Sequence, residues 1–324
     1  MIPYGIGALL YAPLAKWISV RAIMAWTMFV FALTNFFCAK VVTLEPFLLL
    51  RVVMGIASAS VVPLALILIG RIFERDVRGR MVGLFFSVSF IASITGIILS
   101  GTTNWRSLFF IPSALGLMAA AFALLLSSKY LSKLEGRVDY LNVFRDVKMR
   151  NIFIFIMLMS TLYHGVDRWL GVYMDRIYHL KQLTISLLFG LIAVSAAVGQ
   201  NWGGHLTDTR GRVASCRVGI YLLSAAVILL SVKVPVFLLA LFLSMLAIGW
   251  TVGHNGASTA LTDFPEENRS EVASLNSSLR FVGGGIGFSI SGIFVAKSFE
   301  LTFLGIGILM FLLSFIIKKV IPQP

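Results

Sequence analysis

Long apolar runs separated by short polar connections dominate the chain. They fall at approximately 1–15, 22–40, 46–70, 81–101, 107–127, 151–174, 183–203, 216–232, 235–261, 272–296 and 300–317. Most reach the roughly 20 residues a helix needs to cross hydrocarbon. Only helices and closed barrels satisfy their own backbone polar groups there. The pattern predicts an all-α, polytopic membrane protein with about eleven helices in this chain. The first run is short and begins at Met1 without a preceding polar cap. It also lacks the charged n-region and small-residue cleavage site of a signal peptide, so it reads as the tail of a helix whose beginning is absent from this sequence.

Composition agrees with the pattern. The 324 residues are 58% hydrophobic and 13% charged, with a mean hydropathy of +0.93, whereas a soluble domain is nearer a quarter charged. The net charge of +13 would suggest nucleic acid in a soluble protein. Here the basic residues gather in connections between apolar runs, so topology explains them and no nucleic-acid partner is expected. One alternate set of connections holds 18 Lys and Arg, among them Lys16, Arg21, Arg78, Arg80, Arg210, Arg212, Lys318 and Lys319; the other holds 6, and Arg51, Arg168 and Arg280 remain inside the spans. The positive-inside rule puts the richer set and the C-terminus in the cytoplasm. The expected location is a bacterial inner membrane, with the lipid bilayer as solvent. Nothing specifies an oligomer, and a monomer is the expectation. Cys38 and Cys216 fall near opposite faces in this topology, beyond disulfide reach, and read as inert packing residues.

The longest polar stretch, 128–150, divides the chain into an N-terminal bundle, 1–127, a cytoplasmic linker and a C-terminal bundle, 151–324. Leu131, Leu134, Val138, Leu141 and Phe144 recur in the linker at helical spacing, which fits an amphipathic helix on the membrane surface or a solvated connection. The bundles look related. At an offset of 191, Phe73, Arg78, Leu84, Ser87, Phe90, Gly96, Ser100 and Gly101 meet Phe264, Arg269, Leu275, Ser278, Phe281, Gly287, Ser291 and Gly292. With a one-residue shift, Tyr11–Lys16 falls on Gly203–Asp208. A helical unit repeated twice is how many secondary transporters are built.

The polar stretch Gly203-Gly204-His205-Leu206-Thr207-Asp208-Thr209-Arg210-Gly211-Arg212 reads as a tight loop at a membrane face. Its G-x-x-x-D-x-x-G-R order resembles the loop signature of the major facilitator superfamily. Arg51-Val52-Val53-Met54-Gly55 with Pro63 resembles that family's fourth-helix arginine motif. Arg78-Gly79-Arg80 and Asn104-Trp105-Arg106-Ser107-Leu108-Phe109 resemble its fifth-helix entry and its W-R-x-x-F sixth-helix start. The likeness implies two pseudo-symmetric six-helix bundles, a central cavity and alternating access, closest in style to the drug- and metabolite-efflux branch. It also implies a gate at Gly204, Asp208, Gly211 and Arg212, with Arg212 able to pair with Asp208, and proton handling or bundle bracing at Arg51. There are departures. Lys16 stands where the N-terminal loop would carry its aspartate, Ala12 where it would carry its first glycine, and Thr95-Gly96-Ile97 where the antiporter signature would have Gly-Pro.

The remaining candidates are ionisable or polar groups inside spans, where such groups face a cavity or a partner. His164, Asp167 and Arg168 share one helix face at i, i+3 and i+4, with His164 ~20 Å along its span at 1.5 Å per residue. His164 and Asp167 fit a proton relay; an Asp167–Arg168 pair beside a hydrogen-bonded histidine is the plainer alternative. Arg280 meets Ser89 in the repeat, so the shared scaffold needs no arginine there. It fits either contact with an anionic substrate or snorkelling. Trp250, His254, Asn255 and Asn276 read as cavity polars or as interhelical hydrogen bonds. Gly283 and Gly287 form a small-x-x-x-small pattern suited to close helix packing.

No metal cluster, catalytic triad or nucleotide-binding loop is apparent, so neither enzymatic activity nor a cofactor is expected. The reading is a secondary-active permease for a small molecule, proton-linked and exporting a drug or metabolite. An organic-anion carrier is the alternative within transport, favoured by Arg51, Arg168 and Arg280 outnumbering the one carboxylate inside the spans, Asp167. A non-transporting remnant or interaction partner is the alternative outside it.

Overall fold

A computed structural model describes residues 1–73, 75–125, 133, 138–263 and 269–321. Among these the regular structure is helical: α1 Ile2–Trp17, α2 Val20–Lys40, α3 Leu44–Ser58, α4 Val61–Ile72, α5 Arg75–Thr102, α6 Phe110–Leu125, α7 Tyr140–Arg145, α8 Val147–Asp167, α9 Leu170–Arg176, α10 Gln182–Arg210, α11 Arg212–Leu230, α12 Val236–Thr262, α13 Arg269–Val295, α14 Phe299–Leu313 and α15 Ile317–Val320. Nine stretches among the described residues are long and apolar enough to cross a membrane. Large apolar side chains face outward, such as Leu125 at 80% exposure, as expected where lipid rather than water is the solvent. Residue contacts divide the chain into two units, 1–139 with 273–278, and 140–272 with 279–324.

In the first unit small residues let helices approach. A Cβ on Gly7 would come within 2.9 Å of Ala59, and one on Gly116 within 3.0 Å of Ala32. The Tyr11 hydroxyl donates to the Ile56 carbonyl at 2.7 Å, and Ser113 Oγ to the Ala32 carbonyl at 2.9 Å. Arg106, from the W-R-x-x-F motif, donates to the Val41 carbonyl at 2.7 Å, with its guanidinium 4.7 Å from the Trp105 ring. A cation there satisfies a carbonyl left open at the α2 C-terminus and complements its dipole.

The span expected over 46–70 is two helices, broken at Ala59–Ser60. Pro63 explains the break, because its ring opposes the carbonyl four residues back, which is that of Ala59. Ser60 Oγ steadies the junction through the Ala57 carbonyl at 2.9 Å and the Thr27 hydroxyl at 2.8 Å. The span expected over 151–174 is likewise interrupted, between α8 and α9. There the Trp169 indole leaves the helix path and donates to the Phe288 carbonyl at 3.3 Å and Ser291 Oγ at 3.1 Å on α13.

The stretch expected as a loop, 203–212, is helical through Arg210, and this is a correction to the reading of its glycines. Gly203 makes room for α12: a Cβ there would lie 2.9 Å from Val252 Cα. Thr207 and Thr209 return their hydroxyls to the Gly203 and His205 carbonyls at 2.7 Å each. Only Gly211 turns the chain, at φ +85° and ψ 167°, a region that glycine alone occupies readily.

The second unit is built on similar close crossings. A Cβ on Gly219 would collide with Gly253 across the α11–α12 contact, and Gly283 and Gly287 seat α13 against Met157 and Thr161 of α8. The small-x-x-x-small pattern is thus a packing device. Ser224 Oγ ties α11 to the Gly307 carbonyl of α14 at 2.8 Å, and Ser160 Oγ ties α8 to the Arg280 carbonyl at 2.6 Å. Of the expected linker helix, residues 126–132 and 134–137 lie outside the described residues. The short α7 comes next along the chain, with Val143 buried and Phe144 stacked on Phe153 at 5.9 Å. Asp146 then caps α8, accepting from the amides of Lys148 at 2.8 Å and Met149 at 3.0 Å. Cys38 and Cys216 are both buried and free.

Candidate functional site

Within the second unit α8 and α12 bring four rings together. Tyr163 and Trp250 stack with centroids 4.1 Å apart and planes within 10°. His164 presents its edge to Tyr163 at 4.8 Å and lies 5.5 Å from Trp250. His254, one turn beyond Trp250 on α12, stacks on it at 5.3 Å. Tyr163 is 7% and His164 6% exposed. Sequence reasoning found His164, Trp250 and His254 but missed Tyr163. The available signal was its position four residues before Asp167, the spacing that lets its hydroxyl reach the acid on the same helix face.

That hydroxyl donates to Asp167 Oδ1 at 3.2 Å, while Arg168 Nε lies 3.2 Å from Asp167 Oδ2. Asp167 is 13% exposed and Arg168 51%. Both carboxylate oxygens are therefore engaged. Among the described residues no hydrogen bond joins Asp167 to His164, and His164 Nδ1 is buried without a hydrogen-bond partner. A direct histidine–aspartate relay is not present in this arrangement. Arg168, Arg280 and His254 all lie within electrostatic reach of His164, and Arg280 within reach of His254 as well. Arg280 is half-buried, with its guanidinium 4.9 Å from the Phe281 ring. The result is an aromatic cluster beside basic groups, where Asp167 is already matched by an arginine.

The other candidates are placed differently. Asn255 bridges α10 and α12: its amide donates to the Gln200 carbonyl at 3.1 Å and its oxygen accepts from Thr259 at 3.2 Å. The His254 ring reaches the Ser258 hydroxyl at 3.3 Å through Nε2. Asn276 lies four residues before Arg280 on α13, half-buried, in the segment that groups with the first unit. Arg51 is exposed on α3, with Nη1 3.3 Å from Met54 Sδ and its guanidinium 5.9 Å from the Phe109 ring.

At the α10–α11 junction Arg212 does not pair with Asp208. It grips Asp263, at the end of α12, through Nε at 2.9 Å and Nη2 at 2.7 Å. Asp263 was missed because it lies 51 residues away and no motif marks it. The reason for the choice is geometric. Gly211 turns the chain so that Arg212 opens α11, which packs along α12 through Ser215 Oγ to the Val252 carbonyl at 2.9 Å. Asp208 stays exposed in the last turn of α10, with no ion pair among the described residues. Gly204 is half-buried beside Asn255, and a Cβ built on it would lie 3.6 Å from the Asn255 amide nitrogen.

Comparison with known proteins is consistent across sequence and fold. The Major Facilitator Superfamily model matches residues 1–288. An uncharacterized MFS-type transporter of Methanocaldococcus jannaschii is 25% identical over 247 residues, covering 72% of this chain and 64% of that protein. The match thus spans less than two thirds of that relative's length. Multidrug resistance protein 3 of Bacillus subtilis is 21% identical over 144 residues, covering 43% of this chain and 28% of its own. In fold the chain is similar to the nucleoside transporter NupG, with a TM-score of 0.76 at 16% identity over 99% of this chain and 89% of that one.

Proposed function

The chain belongs to the major facilitator superfamily, and from that premise we propose that it is a secondary-active transporter of a small organic molecule, proton-linked and working in the direction of efflux. The observation that carries this reading is His164. It is a buried histidine on a membrane-spanning helix, packed against the Tyr163–Trp250 stack, with a ring nitrogen committed to no other group among the described residues. Histidine is the side chain whose ordinary titration lies near neutral pH, and ionisable groups inside a membrane are costly enough to mark ion and substrate paths. In this scheme Trp250 and His254 contact the transported molecule, His164 exchanges the proton, and Asp208 with Gly204, Gly211 and Arg212 forms the moving gate. The likeness to a multidrug resistance protein supports export.

The test is flux of a dye and metabolite panel in proteoliposomes under an imposed pH step. Transport that follows the gradient supports the proposal. Flux indifferent to the gradient overturns the coupling, and no flux with any panel member favours a non-transporting role.

One observation favours a second reading, an organic-anion carrier. Arg280 lies within electrostatic reach of His164 and His254, whereas Asp167 is already paired with Arg168. A guanidinium matches the geometry of a carboxylate or phosphate. Competition by acids against cations and neutral molecules separates the two, and Arg280→Gln should weaken only the acids.

A further inference from the structure

A groove of about 520 Å³ opens along α13 and α14, with Thr161, Leu162 and Gly165 of α8 at its floor. That volume is in the range of small-molecule sites. Its walls are apolar, and Ile290, Phe294, Leu301 and Leu309 remain 52%, 55%, 73% and 53% exposed. One end is different. There the α13–α14 turn places Lys297, an exposed cation, on the groove's rim. From Ser298 at that rim to Leu309 the α14 wall extends ~16 Å at 1.5 Å per residue. This is the depth of one leaflet of a hydrocarbon core ~30 Å thick. The acid of the same turn, Glu300, accepts a hydrogen bond from Ser298 at 3.2 Å and does not line the groove.

A cation at the membrane-face end of an apolar channel one leaflet deep is complementary to an anionic amphiphile. The geometry points to a site for one acyl chain of an anionic phospholipid, with its headgroup phosphate against the Lys297 ammonium. The chain lies along Phe294, Leu301 and Leu309, and Gly305 leaves it room: a Cβ built there meets nothing within 4 Å. The site uses none of the residues assigned above to substrate, proton or gate, and it stands whichever molecule is transported.

The experiment is native mass spectrometry of the detergent-released protein with phosphatidylglycerol and phosphatidylcholine of identical chains. The wild type should retain phosphatidylglycerol about fivefold better, the preference one lysine gives for an anionic headgroup. Lys297→Gln, an exposed position where folding is not at stake, should bring the two lipids to parity. Gly305→Leu should fill the groove and lower retention of both, with its melting temperature checked against the wild type. Equal retention of the two lipids by the wild type overturns the proposal, as does an unchanged preference in Lys297→Gln. A change of oligomeric state in Gly305→Leu, with lipid retention unaffected, would assign the groove to a second copy of this chain instead.

Discussion

The α1–α2 and α10–α11 junctions occupy equivalent places in the repeat, 192 residues apart, yet they hold charge in opposite ways. At the first, Ser19 caps α2 by accepting from the Ala22 amide at 3.3 Å, and Lys16 lies in the last turn of α1. A cation is favoured there by the helix dipole. At the second, Gly211 stands in the place of Ser19 at φ +85°, Asp208 in that of Lys16, and Arg212 in that of the fully buried Val20. An acid in the last turn of a helix works against the dipole. The first junction therefore shows that the turn can be made without the glycine, the acid or the arginine. What the second adds is a backbone turn that only glycine takes readily and charge that the scaffold does not need.

The largest effect expected from breaking this contrast is at Gly211. Gly211→Ala forces a Cβ into a backbone region almost reserved for glycine, at a cost of about 2 kcal/mol. Ser19→Gly at the twin removes one capping bond and costs only a few tenths. Thermal unfolding in detergent should rank the two variants in that order, and equal losses would mean the junctions are mechanically alike.

Asp208 comes next. Asp208→Asn should lower flux roughly tenfold, the scale of a ~1.4 kcal/mol change in the energy of the proposed gate. The melting temperature should stay level or rise slightly, since an unfavourable dipole contact is lost. Lys16→Gln should leave flux where it was. A parallel fall of stability and flux in Asp208→Asn would reduce the residue to a structural one.

The smallest effect belongs to the Arg212–Asp263 pair, whose side chains are 23% and 38% exposed. Partly solvated pairs of this kind contribute about 0.5 kcal/mol. Arg212→Gln and Asp263→Asn should each shift stability by that amount, and the double variant by no more than either alone. Full additivity would show that the two residues act separately.

Much of this architecture is legible in sequence, because in a membrane the apolar runs must be helices. The spans at 22–40, 107–127 and 235–261 correspond to α2, to α6 with its preceding turn, and to α12. The features that escape a sequence reading depend on partners far along the chain. Gly203 looks like a turn residue until α12 arrives beside it, and a glycine that admits a neighbouring helix has the same one-letter code as one that bends the backbone. Pro63 is visible, but its effect lies at Ala59 and Ser60, where the continuing apolar run conceals the break. In the candidate site His164, Trp250 and His254 could be picked individually as costly groups in spans. Their assembly with Tyr163 into one cluster joins positions 87 residues apart, and the diversion of Arg212 from Asp208 to Asp263 follows from helix packing that no local pattern encodes.

A proton carried at His164 is the centre of the proposed mechanism, so the most direct measurement is proton-driven flux in His164→Gln proteoliposomes. Glutamine keeps a polar side chain against Trp250 but cannot titrate. Exchange of substrate across the membrane without a gradient should persist, while the response to an imposed pH step should be lost. A His164→Gln variant that still concentrates substrate against its gradient when the pH step is applied would contradict the mechanism.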